Sequence, residues 1–346
     1  MPAAPPSTVP GRMPGSGWVR GRGALLAVCL AAALVCPSAP AADEVRITTL
    51  IDDLPGVGPL AVSPNGQTVH CLDQVRRAVI AFDPFAPTRR RDVVAAAAEG
   101  QPVPVAIGCL PGEVLAIIGR SGDEWSLRTF RIRPGEATDP ANPLQSMRLG
   151  TAAAAAPTVR LVVSQTRDWL AVVGLPEPLP PVLRIVFAGA GMRLLAQDGR
   201  PGIAADRLPV AAVVSPADEL VLLEQSRATA AEVTFHAGNG AELLRLDTGL
   251  PQVRGAAFSR GDGTLWVLGG AADSAARPEG LWRLDAVMQD GRQAVRPAFV
   301  ARLVDPRSIV AVSEQSVVAS LAGSIVRIDP VGKGIRSGKD EEQETP

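Results

Sequence analysis

Between Val57 and Pro330 the apolar positions fall into short runs of four to six residues, separated by turns rich in Gly, Pro, Asn and Asp. One phrase recurs six times: an apolar run, a turn centred on Ser, a second apolar run, then a third run closing on a turn. Clear copies are Pro59-Leu-Ala-Val-Ser-Pro-Asn-Gly66, Val210-Ala-Ala-Val-Val-Ser-Pro-Ala-Asp218, Gly255-Ala-Ala-Phe-Ser-Arg-Gly-Asp-Gly263 and Ile309-Val-Ala-Val-Ser-Glu314. The first run of each copy is apolar throughout, the pattern of a strand buried on both faces. The third run alternates more, as in Val79-Ile-Ala-Phe-Asp-Pro84 and Ile325-Val-Arg-Ile-Asp-Pro330, and a more polar fourth run completes most copies. The anchors Ser63, Ser164, Ser215, Ser259 and Ser313, with Gly108-Cys109 standing in for the second, lie 44 to 55 residues apart. A period of about 45–55 residues holding four strands marks one blade of a β-propeller.

Six repeats predict an all-β, six-bladed ring over residues 42–331. The last repeat runs out after its third strand, whereas Val45–Ile51, ahead of the first, alternates and has no partner of its own. Open edge strands invite aggregation. Val45–Ile51 is therefore expected as the fourth strand of the last blade, closing the ring. Seven blades, with one long repeat split, is the alternative count, and a pair of all-β sandwiches the alternative architecture.

The ends read differently. Arg12, Arg20 and Arg22 precede an unbroken apolar run, Ala24 to Val35, and then Pro37-Ser-Ala-Pro-Ala-Ala42. That order describes a secretory signal peptide over residues 1–41, cleaved after Ala41 or Ala42. The run is shorter than the roughly 20 residues a bilayer span needs; a retained short anchor is the alternative. The expected location is periplasmic or secreted. Residues 332–346, ending Asp340-Glu-Glu-Gln-Glu344, read as a disordered polar tail. Removing the three leader arginines leaves 31 basic side chains against 35 acidic, a balance that favours neither nucleic acid nor anionic lipid. No other run is long and apolar enough to span a membrane. Of the cysteines beyond the leader, Cys71 and Cys109, an exported protein can make a bridge. They fall on different strands of neighbouring repeats, so both are expected buried and unpaired.

Ser63-Pro-Asn-Gly-Gln-Thr-Val, with a third strand ending Phe82-Asp-Pro84, resembles the Ser-Pro-Asp-Gly-Lys phrase of YVTN-type and lactonase-like propellers. It also resembles the wider group with quinoprotein amine dehydrogenase heavy-chain folds. The resemblance spans Val57 to Pro330 and implies an exported propeller; the Tyr-Val-Thr-Asn strand itself is absent, since the chain has no tyrosine. Lactonase-like propellers hold a divalent ion on the axis through carboxylates and asparagines. Asp52, Asp53, Glu113, Glu224 and Asp305 are the carboxylates near strand ends, but they do not recur at equivalent repeat positions.

Other chemistry finds little to draw on. The two histidines, His70 and His236, lie in different repeats and read as strand residues. There is no Gly-x-Ser-x-Gly elbow, and the repeated serines sit where a hydroxyl bonds its own turn. Gly269-Gly270 and Gly238-Asn-Gly240 have no following helix and read as turns. No catalytic residue, metal ligand or cofactor is assigned. One constellation remains: Arg160, Arg254 and Arg307 each fall shortly before a first strand, on connectors that open around the central channel. Together they suit a carboxylate or phosphate. Pairing with acids such as Asp206 and Asp305 is the plainer use. By subtraction, the sequence favours a non-catalytic binding module for an exported protein partner or a small ligand. The alternative is a lactonase-like or other hydrolytic enzyme with a divalent metal at the axis, and a redox-system subunit is a third reading.

Overall fold

The computed structural model describes residues 44–133, 135–153, 159–166, 168–188, 191–194, 207–226, 230–237 and 240–331. The expected signal peptide and polar tail, Asp206 and most of Gly238-Asn-Gly240 lie outside these residues. The described chain is all strand. It opens with β1 (Glu44–Ile51) and then lays down blade 1 as β2 (Val57–Val62), β3 (Val69–Asp73), β4 (Ala78–Phe82) and β5 (Arg91–Val94). Blade 2 is β6 (Val103–Leu110), β7 (Val114–Ser121), β8 (Glu124–Arg131) and β9 (Gln145–Thr151); blade 3 is β10 (Arg160–Val163), β11 (Trp169–Val173), β12 (Val182–Ala188) and β13 (Gly191–Leu194). Blade 4 is β14 (Leu208–Val214), β15 (Leu220–Gln225), β16 (Glu232–His236) and β17 (Glu242–Asp247). Blade 5 is β18 (Gly255–Phe258), β19 (Leu265–Gly269), β20 (Gly280–Gln289) and β21 (Arg292–Arg302). Blade 6 is β22 (Ser308–Ala311), β23 (Val317–Ser320) and β24 (Ile325–Val331), with β1 as its fourth strand.

Six antiparallel four-stranded sheets thus form a six-bladed propeller. Each inner strand touches the next, and β22 touches β2, so the ring is closed. Closure is double. β1 runs antiparallel to β24 from Glu44↔Val331 to Ile51↔Ile325, and the Leu60 N–H donates to Ser308 Oγ (3.1 Å), joining the inner strands of blades 1 and 6. No helix of the described residues is long and apolar enough to cross a membrane.

The core is divided among the six seams between blades. Blades 2 and 3 bury fifteen apolar residues between them, Trp125 and Ile185 included, whereas blades 3 and 4 bury six. Near the axis the inner strands converge, and there small residues are required: a Cβ on Gly108 of β6 would lie 2.7 Å from the Val163 side chain of β10.

The anchor serines do what their spacing implies. Ser63 Oγ accepts from the Thr68 N–H (2.9 Å), Ser215 Oγ from Glu219 (3.2 Å) and Ser313 Oγ from Ser316 (2.9 Å). Each hydroxyl ties down the turn that reverses an inner strand. The two Asp-Pro endings part company. Asp83 accepts from the N–H groups of Phe85 and Ala86 and stops β4, whereas Asp329 faces Arg327 Nε (2.9 Å) and β24 runs on through Pro330 to Val331. Cys71 and Cys109 are buried and unpaired.

His70, in β3, is buried, and burial pushes its imidazole down from 6.5 to about 4, with the Arg91 charge adding to the effect. The unfolded chain gains a proton near pH 6.5 that the folded chain refuses until about pH 4. Stability from this site is therefore complete above pH 6.5 and lost as the pH falls towards 4, to the extent of about 3 kcal/mol. Urea titrations at pH 7.5 and 4.5 should show most of that loss disappearing in His70→Leu; an equal loss in both chains would exclude His70 as its source.

Candidate functional site

A cavity of about 390 Å³ runs along the axis and is lined by all six inner strands. Each strand gives its hydrogen bonds to its own blade on one side only. The other edge faces the axis and leaves backbone N–H and C=O groups to water or a ligand. Apolar side chains such as Val162, Val213, Ala256 and Ile309 share the lining.

Repeat register decides which arginine enters this space. Arg160 stands four residues before its anchor, Ser164; the same offset elsewhere holds Pro59, Ala211, Gly255 and Ile309. It is therefore the one of these positions to bring a charge inside the ring. Arg254 and Arg307 stand five and six residues before their anchors, which puts them on the rim. The ion pairs follow that division. Arg254 meets Glu279 (2.9 Å) and Asp305 (2.6 Å), and Arg307 meets the other oxygen of Asp305 (3.2 Å). Two rim cations thus face two rim carboxylates.

Arg160 is placed differently. Its Nη1 donates to the Val159 carbonyl and its Nη2 crosses the mouth from blade 3 to the Arg254 carbonyl of blade 5, both at 3.2 Å. No carboxylate among the described residues pairs with it, and burial pulls the guanidinium below its ordinary range. A cation held by neutral carbonyls in a partly desolvated channel has strong unspent attraction for an anion. The three arginines of the expected funnel therefore meet at one mouth but divide into a paired rim and an unpaired interior cation.

Sequence reasoning passed over Arg260, which lies at the opposite end of the same cavity. It follows its anchor Ser259 where other repeats carry Pro64 and Pro216, and a charge in that register was the available signal. It also passed over Asp218, a buried carboxylate that accepts from Ser164 Oγ and from Trp169 Nε1 (3.0 Å), tying blade 4 to blade 3. Cys109 lines the cavity, but burial pushes its thiol up to about 12, so it remains protonated.

The divalent ion implied by the lactonase-like resemblance does not fit these residues. Asp305 is taken by two arginines, Glu224 is buried inside blade 4, and Glu113 sits in the β6–β7 turn at the other end of the axis from Asp52 and Asp53. Among the described residues no group of three His, Cys, Asp or Glu side chains is placed to hold a metal ion.

No family model matches the chain, and no curated protein does. Solved structures do. The PQQ-bound aldose sugar dehydrogenase of Streptomyces coelicolor is 13% identical, with a TM-score of 0.55 over 84% of this chain and 99% of that one. A gluconolactonase of Xanthomonas campestris is 17% identical (TM-score 0.51; 85% and 98% covered), and the virginiamycin B lyase of Staphylococcus aureus 10% (0.51; 83% and 99%). The chain shares their fold. At these identities the likeness is one of architecture, and at that level the resemblance read from the repeats is borne out. The propellers it resembles are mostly enzymes of small molecules.

Proposed function

We propose that this chain is an exported small-molecule propeller that takes an anionic molecule, carboxylate or phosphate, into its axial channel at the Arg160 mouth. The observation that carries the reading is the Arg160 guanidinium, inside the ring and without a carboxylate partner among the described residues. A planar fork with free N–H groups suits an oxyanion, bound as such or developing on a carbonyl oxygen during ester or lactone hydrolysis. The enzymes among its structural neighbours favour this catalytic use of the channel, the hydrolytic alternative of the sequence reading, over a non-catalytic module for a protein partner. The fold alone does not select a substrate.

The test joins binding to turnover. Carboxylates and phosphate esters are titrated by calorimetry against the mature chain, and matching lactones and esters are followed in a pH-stat. Arg160→Ala is expected to weaken anion binding at least 30-fold, in keeping with the about 2–5 kcal/mol cost of losing one partner of a buried charge pair. Arg254→Ala and Arg307→Ala, whose charges are matched on the rim, should each change affinity less than fivefold, and the triple substitution should abolish it. Unchanged affinity in the triple variant would falsify the anion site. Binding by every anion with no turnover of any ester or lactone would return the protein to the class of binding modules.

A further inference from the structure

Arg260 resembles Arg160 in one respect. Its Nε donates to the Ala311 carbonyl (3.1 Å), Nη1 to Pro64 (2.5 Å) and Nη2 to Ser63 (2.7 Å), so the side chain reaches from blade 5 past blade 6 to blade 1. All three acceptors are neutral. Desolvation draws the guanidinium below its ordinary range, and no carboxylate among the described residues acts on it. Of its five N–H groups two remain for a ligand. The cavity therefore carries an unmatched cation at each end. The one carboxylate in its lining among the described residues, Asp218, is engaged by Ser164 and Trp169. Between the two cations the side chains are apolar: Leu161, Val162, Val213, Ala256, Phe258 and Ile309.

We infer that Arg260 is a second anion-binding group, and that the ligand class suited to the whole cavity is an elongated dianion with an apolar middle. The inference rests on the proposal that Arg160 binds an anion. Length follows from the strands. The Arg160 guanidinium lies at the level of the Arg254 carbonyl and that of Arg260 at the level of Ala311 and Ser63, one inner strand away. Five steps at ~3.3 Å put the cations ~16 Å apart. Each hydrogen-bonded oxyanion stands ~3–4 Å inside its guanidinium carbon, which leaves ~8–10 Å between the two anionic groups. An extended hydrocarbon advances ~1.25 Å per bond, so a straight α,ω-dicarboxylate of about seven to nine carbons spans that gap.

The test is a length series. α,ω-Dicarboxylates of about five to twelve carbons, each with the monocarboxylate of equal length, are titrated by calorimetry against the mature chain. Affinity should peak at about seven to nine carbons, at least 30-fold above the matching monocarboxylate, since a second charged contact is worth about 2 kcal/mol or more. Arg260→Gln keeps donors for the carbonyls and removes the charge; it should bring dicarboxylates down to the monocarboxylate level. A flat length series on the unmodified chain overturns the inference without recourse to any variant, as does an Arg260→Gln chain that keeps the preference. Monocarboxylates that bind through Arg160 with no advantage for a second charge sink this inference alone. Monocarboxylates indifferent to Arg160→Ala sink the proposed function as well.

Discussion

A chain that begins at Leu54, without β1, is expected to lose its folded monomeric state. Seven residues of β24, from Ile325 to Val331, pair with β1 and would become an open edge at the rim of blade 6. Leu50 and Ile51, both buried in the seam between blades 6 and 1, leave with the strand. Burying two such side chains is worth about 3–6 kcal/mol. A typical net stability is about 5–15 kcal/mol, so this loss and the missing ladder together exceed what most domains hold in reserve. An unsealed edge also templates pairing between chains. Light scattering after size exclusion should find dimers and larger species, and urea unfolding should become broad. A sharp transition at an unchanged midpoint, from a monomer, would mean that the inner-strand contact through Ser308 closes the ring unaided. Adding Glu44–Ile51 back as a peptide should restore the monomer, because β1 joins the ring only through its pairing and its inward side chains.

Ring closure was legible because a propeller repeats one grammar, and a missing fourth strand at one end matches a spare strand at the other. The anchor serines were legible for the same reason. Features that depend on one side chain's position within that grammar were not. Arg160, Arg254 and Arg307 look alike as arginines near the start of a first strand, and only the count back from each anchor separates the interior cation from its neighbours on the rim. Identical Asp-Pro pairs end one strand and continue another, because Asp83 finds N–H groups beyond it while Asp329 finds Arg327 behind it. Arg260 and Asp218 act on blades other than their own. Arg260 reaches Ser63 and Pro64, almost two hundred residues away, which no local pattern reports.

The second large effect is expected at the seam between blades 3 and 4. Its apolar cluster is small, and polar groups of blade 4 occupy much of the rest. Arg245 of β17 holds three carboxylates: Glu224 of β15 at 3.3 Å, Glu232 of β16 at 2.9 Å and Glu242 at 2.6 Å. Glu224 is fully buried, and its other contacts among the described residues are the Thr234 hydroxyl (3.0 Å) and the His236 ring (3.9 Å). Arg245→Leu strands that carboxylate and should cost about 3–5 kcal/mol. Glu224→Leu combined with Arg245→Leu should recover most of the loss, since a hydrophobic pair can replace a buried ion pair at little cost. The single and double variants therefore separate a stranded charge from simple loss of packing, and equal destabilisation of both would exclude the charge. Acid gives an independent check. Hydrogen bonds from Arg207 and Arg245 hold Glu232 and Glu242, respectively, below the ordinary carboxylate range. Their contribution is present above that range and lost as the pH falls through the lowered values. Arg245→Leu lets Glu242 titrate closer to where it does in the unfolded chain, so the variant should lose less stability to acid than the wild type while starting lower. If the seam also sets the position of Arg160, anion affinity in Arg245→Leu should fall before the chain unfolds, and the double variant should restore both together.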